Sequence, residues 1–93
     1  MILEIVSPEA TLFKGEVTSV IVPGINGEFQ MLNNHAAIVS LLTKGNVKIT
    51  AQNINIDKEF IPQFNKVNEQ NYWLPISSGT IEMNENKVII LAD

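Results

Sequence analysis

The chain has 93 residues, 45% of them hydrophobic and 17% charged, with a net charge of −4 and no cysteine. That length supports one modest core, and the balance is too apolar for a disordered chain. Disulfides and thiolate metal sites are excluded, and acidity argues against nucleic acid or anionic lipid as partners.

Isoleucine and valine are plentiful, and turn-forming asparagine is frequent. Periodicity of two dominates, so the chain reads as all-β. The first strand is Ile2 to Val6, ended at Ser7-Pro8-Glu9 because proline has no ladder donor. A short piece at Leu12-Phe13 follows, then Gly15. Glu16 to Val22 reads as the next strand. Pro23-Gly24-Ile25-Asn26-Gly27 is a turn cluster in which Asn26-Gly27 signals a tight turn with positive φ at both residues. Glu28 to Leu32 is a short strand, and Asn33-Asn34 turns the chain.

His35 to Leu42 fits a strand or a short helix. Asn46 to Gln52 alternates cleanly, with Val47, Ile49 and Ala51 on one face. Residues 53–70 mix Ile54 and Ile56 at strand spacing with Phe60, Phe64 and Val67 at helical spacing. Pro62 opposes a long helix, so an extra hairpin with a loop is expected. Tyr72 to Ile76 is a strand, and Thr80–Met83 with Lys87–Leu91 form a hairpin across Asn84-Glu85-Asn86. Many short strands between turns predict a sandwich or barrel in one domain.

Catalytic signals are weak. His35 is the one histidine, and a lone histidine makes a poor metal site. The carboxylates are scattered, the serines lack an elbow motif, and Gly24-x-x-Gly27 is too short for a phosphate loop. No catalytic, cofactor or metal residue is therefore assigned. Tyr72 and Trp73 should point to opposite faces, leaving one packed and one exposed. A sugar-stacking platform on this pair is the rival binding reading, and a cupin-like metalloprotein is a weaker third.

Certain segments are familiar as strings. They are Ser7-Pro8-Glu9-Ala10-Thr11-Leu12-Phe13-Lys14-Gly15-Glu16-Val17, Ser19-Val20-Ile21-Val22-Pro23-Gly24-x-x-Gly27-Glu28-Phe29, and Leu32-x-x-His35-Ala36. Gly45-x-Val47-x-Ile49, Ser78-Gly79-Thr80-Ile81-Glu82-Met83 and Val88-Ile89-Ile90-Leu91-Ala92-Asp93 follow in order. Together they resemble the N-terminal β-sandwich domain of the epsilon subunit of F-type ATP synthase, called delta in mitochondria.

The resemblance implies a sandwich of two antiparallel sheets and a non-catalytic subunit of the rotor stalk. Its implied partners are the gamma subunit and the membrane c-ring. By position, Glu28, Phe29, Asn33, Asn34 and His35 match the c-ring segment, with Glu28 and His35 the favoured polar contacts. Ser7, Leu41, Leu42 and Thr43 match positions near gamma. Leu41 and Leu42 cannot both face one core in a strand, so one is left for an interface.

Two departures stand out. The sequence stops at Asp93, where family members continue into a helical hairpin that can inhibit hydrolysis or bind ATP; neither function is expected here. Residues 53–70 stand as an insertion where most members have a tight hairpin. Met1 leads directly into Ile2-Leu3-Glu4 without a signal or transit peptide. The expectation is a peripheral location on the cytoplasmic face of a bacterial inner membrane.

Overall fold

The computed structural model describes residues 1–93. Ten strands form, in chain order, β1 (Ile2–Val6), β2 (Thr11–Glu16), β3 (Ser19–Gly24), β4 (Gly27–Leu32), β5 (Ile38–Leu42), β6 (Gly45–Thr50), β7 (Asn65–Asn68), β8 (Asn71–Ile76), β9 (Gly79–Asn84) and β10 (Lys87–Ala92). One 3-10 turn, Ile61–Gln63, is the only helical element. No helix is long and apolar enough to cross a membrane.

The strands run β2-β1-β10-β9-β5-β3-β6-β8-β7, with β4 flanking β3. The sheet curls at the β5–β3 junction, where a single pair, Gly24 with Leu42, joins two halves. The all-β architecture expected from the alternation is present, and the curled sheet agrees with the sandwich that the resemblance implies. One ladder is parallel rather than antiparallel: β1 lies beside β10, Leu3 opposite Val88 and Ile5 opposite Ile90.

Period-two alternation sends one set of side chains from each half inward. Leu3, Ile5, Ile81, Met83, Val88 and Ile90 come from the first half, and Val20, Val22, Met31, Val47, Ile49 and Leu74 from the second. The buried cluster has 21 hydrophobic residues. Ser19 is the one buried polar residue, and its hydroxyl accepts a hydrogen bond from Gln30 Nε2 at 2.8 Å.

Three local expectations change. Glu16 ends β2 instead of starting the next strand, because Val17 N donates to Met1 O and Thr18 N donates to Thr50 O as the chain crosses between halves. Pro23-Gly24 belongs to β3. Pro23 lies between the residues that pair with β6 and the one that pairs with β5, so its missing N–H costs nothing on that side. The turn is Ile25-Asn26, and only Gly27 takes positive φ, at 116°.

The ambiguous His35–Leu42 segment resolves as strand from Ile38. The 53–70 region forms no hairpin of its own: it holds one strand, β7, which pairs with the already expected strand β8. The helical spacing of Phe60, Phe64 and Val67 does not produce an α-helix. Phe64 is buried and Phe60 packs on the core, while Val67 is exposed.

The β9–β10 hairpin turns on Glu85 (φ 50°) and Asn86 (φ 61°). Both residues are left-handed, as a two-residue primed turn demands. Glutamate tolerates that region poorly, whereas asparagine does so readily. Glu85→Asn is therefore expected to stabilise the chain by about 0.5 kcal/mol, read as a raised urea midpoint at constant slope.

Candidate functional site

The outer face of the first half carries the largest exposed apolar side chains. β5 alternates so that Leu42 enters the core while Val39 and Leu41 point out, 77% and 58% exposed. Register then sets their neighbours. Leu41 lies opposite Thr80, Thr80 opposite Leu91, and Leu91 opposite Val6. Leu91 is 52% exposed, and Ile25 on the β3–β4 turn is 63% exposed.

Leu41, Leu91 and Ile25 line a shallow depression of about 580 Å³ together with Thr43, Thr80 and Asp93. Further along the same face charges take over at Glu4, Lys14, Glu82 and Lys87. Lys87 Nζ stands 4.0 Å from Glu4 Oε1. The result is an apolar patch with a charged border, the usual anatomy of a protein docking surface.

The structure sorts the sequence candidates. Leu41 and Thr43 are exposed at the depression. Leu42 is 4% exposed and packs in the core, although it borders the same depression. Ser7 follows Val6 at the end of the Leu41–Thr80–Leu91–Val6 row. Its hydroxyl is held within the β1–β2 turn, accepting from Ala10 N and donating to Ala10 O at 3.2 Å. Ser7 lines a neighbouring hollow of about 400 Å³ that shares Asp93 with the depression.

The other candidate group divides between the two ends of β4, a strand about 17 Å long. Glu28 and Phe29 stand beside the Ile25-Asn26 turn and share a hollow with Ser40. Asn33, Asn34 and His35 sit beyond Leu32 at the opposite end. There Asn33 Oδ1 accepts from the Met1 amine at 2.8 Å, and Asn34 N donates to Asn86 Oδ1 at 2.9 Å. His35 N donates to Leu32 O, and its ring Nδ1 lies 2.7 Å from Ala36 O. These five residues do not form one contiguous patch, because β4 is extended between them.

Glu28 is already engaged. Its Oε2 lies 3.0 Å from Lys48 Nζ, and that ammonium stands 4.4 Å from the centroid of the Trp73 ring. Tyr72 and Trp73 point to opposite faces as expected, with Tyr72 packed against the core. The single ring left outside is covered by Lys48, so the pair forms no open stacking platform. On β7, opposite Tyr72, Lys66 donates a hydrogen bond to the Glu69 carboxylate, which holds that ammonium above its ordinary pKa. No three His, Asp or Glu side chains gather in a metal-holding group.

Val39, Leu91, Ile25 and Thr80 escaped the sequence reading. The signal was available in β10. Val88-Ile89-Ile90-Leu91-Ala92 is apolar throughout, although only Val88, Ile90 and Ala92 are needed inward.

The arrangement is a two-halved β-sandwich with an apolar outer face bordered by charges. The chain belongs to the family of the ATP synthase delta/epsilon chain β-sandwich domain, whose sequence model matches residues 1–93. Among its relatives, the ATP synthase epsilon chain of Campylobacter curvus is 38% identical over 98% of this chain and 59% of that one. The epsilon chain of Chlorobaculum tepidum is 33% identical over 98% of this chain and 86% of its own length. The chain thus spans little more than half of the Campylobacter relative.

Solved structures share the fold. A chain of the Euglena gracilis mitochondrial ATP synthase, in an OSCP/F1/c-ring structure, superposes with TM-score 0.77 at 19% identity, covering 99% of this chain and 49% of that one. A chain from the Tetrahymena thermophila central stalk/c-ring structure gives 0.67 at 14% identity, covering 99% and 62%.

Proposed function

We propose that this chain acts as a non-catalytic central-stalk subunit of a rotary ATP synthase. The outer face around Leu41 and Leu91 binds the gamma subunit. The β3–β4 turn with Glu28 and Phe29, and the Asn33–His35 segment, meet the polar loops of the c-ring. Rotation of the ring, driven by an ion gradient, would pass through these contacts to gamma and on to the catalytic head. The complex would hold the chain peripherally at the cytoplasmic face of a bacterial inner membrane.

The observation that carries this reading is the apolar patch. Val39, Leu41, Leu91 and Ile25 are all more than half exposed on a small domain. Such surface is ordinarily covered by a partner. Family membership supplies the kind of partner. A carbohydrate-binding role finds no comparable support, since Lys48 covers Trp73 and Tyr72 is turned inward.

Co-expression with gamma and the catalytic subunits of the same genome tests the proposal. One copy per gamma should co-elute on size exclusion. Elution of the chain alone at concentrations well above micromolar would sink the proposal. In membranes, Glu28→Gln and His35→Gln should lower coupling between proton pumping and ATP hydrolysis while gamma is retained.

A further inference from the structure

The first half ends in a strand whose outer backbone edge is open. β5 pairs with β9 along its whole length, from Ile38 opposite Met83 to Leu42 opposite Gly79. On its other side it meets β3 at one pair only, Leu42 with Gly24. Successive strand residues turn their N–H and C=O groups to opposite edges, and two hydrogen bonds fix the phase here. Thr43 N donates to Pro23 O at 2.8 Å, so Thr43, Leu41 and Val39 turn their backbone groups to the β3 side. Asp93 N donates to Ser78 O at 3.1 Å, so Ser78 and Thr80 turn to β10. Gly79, Ile81 and Met83 then turn to β5, where they meet Leu42, Ser40 and Ile38. The two assignments agree. Because β3 has already given way to the Ile25-Asn26 turn, the N–H and C=O of Val39 face no strand.

This edge differs from the other three. β2 carries Lys14 and Glu16, β4 carries Glu28, and β7 carries Lys66 beside a shift of register. Charges and bulges of this kind keep a free edge from pairing with another chain. β5 has neither. Ala36 to Leu42 holds no charge, proline or glycine. Its outward side chains, Val39 and Leu41, are 77% and 58% exposed. An unguarded apolar edge is a template for one more strand.

We infer that the gamma partner adds an extended strand to the outer edge of β5, bonding its backbone to Val39 and Leu41. The inference rests on the rotor reading above and supplies its mode of docking. Continuity selects this occupant. Val39 and Leu41 turn their backbone to the edge and their side chains to the apolar face assigned to gamma, so a partner covering that face also reaches the edge. A hollow of about 340 Å³, lined by Gly24, Ile25, Phe29 and Ser40, prolongs the edge and leaves room for the end of the added strand. The segment that fits is extended, turns every second N–H and C=O to β5, and sets an apolar side chain beside Val39.

Amide hydrogen exchange on the co-expressed complex, quenched and read residue by residue by fragmentation mass spectrometry, tests this. In the free chain the Val39 and Leu41 amides should exchange fast, whereas those of Ser40 and Leu42, bonded to β9, should exchange slowly. In the complex Val39 and Leu41 should slow by about a hundredfold. Val39→Pro removes the outward N–H without costing a bond to β9, so the free chain should keep its fold. Its capture of gamma should weaken by about thirtyfold, against about threefold for Val39→Ala, which trims the side chain and keeps the N–H. Exchange in the unaltered chain decides the matter should Val39→Pro not fold. Fast exchange at Val39 in a complex that holds gamma one to one, or equal losses for the two variants, would overturn strand addition and leave the rotor reading standing. Failure of the unaltered chain to capture gamma would overturn both. Protection at Val39 that rises with the concentration of the free chain would assign the edge to a second copy instead.

Discussion

Leu41→Asp is expected to abolish capture by gamma while leaving the free chain folded. Leu41 is 58% exposed, so the isolated domain loses little packing when it is replaced. In the proposed complex the same side chain sits at the middle of the apolar row between Ile25 and Leu91. Truncating a central anchor typically costs at least about 2 kcal/mol, and burying an unpaired carboxylate adds to that. Affinity should therefore fall by about a hundredfold or more. Size exclusion of the mixture would show two peaks, with an unchanged melting temperature for the variant alone. Leu91→Asp, across Thr80 in the same row, should behave alike. Lys14→Asp, on the charged border, should not. If Leu41→Asp still co-elutes one to one with gamma, the docking face has been misplaced.

Gly79→Ala carries the largest expected effect on stability. Gly79 stands between β5 and β10, opposite Leu42 on one side and Ala92 on the other. A Cβ there would lie 2.3 Å from the carbonyl oxygen of Leu91. That oxygen is backbone in a paired strand and cannot rotate aside. The strand must move, loosening the ladder that closes the first half. A cost of about 3 kcal/mol follows from overpacking of this kind. For a domain of this size the melting temperature should drop by roughly 12–24 °C. Gly27→Ala is the comparison. Nothing lies within 4 Å of its Cβ position, and the positive φ of 116° is the only penalty, about 1 kcal/mol. A Gly79→Ala loss no larger than that of Gly27→Ala would mean that β10 yields more easily than its pairing implies.

Glycine 79 also tests the proposed function from another direction. It lines the depression that holds Leu41 and Leu91. Displacing β10 would disturb that surface as well as the core, so Gly79→Ala should weaken gamma binding even below its melting temperature. Leu41→Asp separates the two effects, because it leaves the backbone where it is.

Much of this was legible in one dimension. Alternation in Asn46–Gln52 identified a half-buried strand and its inward residues, and Val47, Ile49 and Ala51 are indeed buried. The uninterrupted β reading and the family resemblance were available from the order of short segments alone. Turn residues were recognised as turns, but not their geometry. Asn26-Gly27 has the composition of a primed turn, yet the pairing of Gly24 with Gly27 shifts the turn back to Ile25-Asn26. The true primed turn is Glu85-Asn86, where one residue is a poor left-handed former.

By itself, then, the sequence determined the fold class, most strands, the inward face of the Asn46–Gln52 strand, and the family. Those are local properties: a side-chain period of two and residues suited to turns act over a few neighbours. Only the tertiary structure decided which of Leu41 and Leu42 faces water, and that Leu41, Leu91 and Ile25 share one surface. It alone separated Glu28 from His35 and brought Glu28, Lys48 and Trp73 together. These contacts join residues from distant parts of the chain, among them the parallel pairing of the first strand with the last. Such pairings are selected because they bury one shared core, and no local pattern states which strand will be the neighbour.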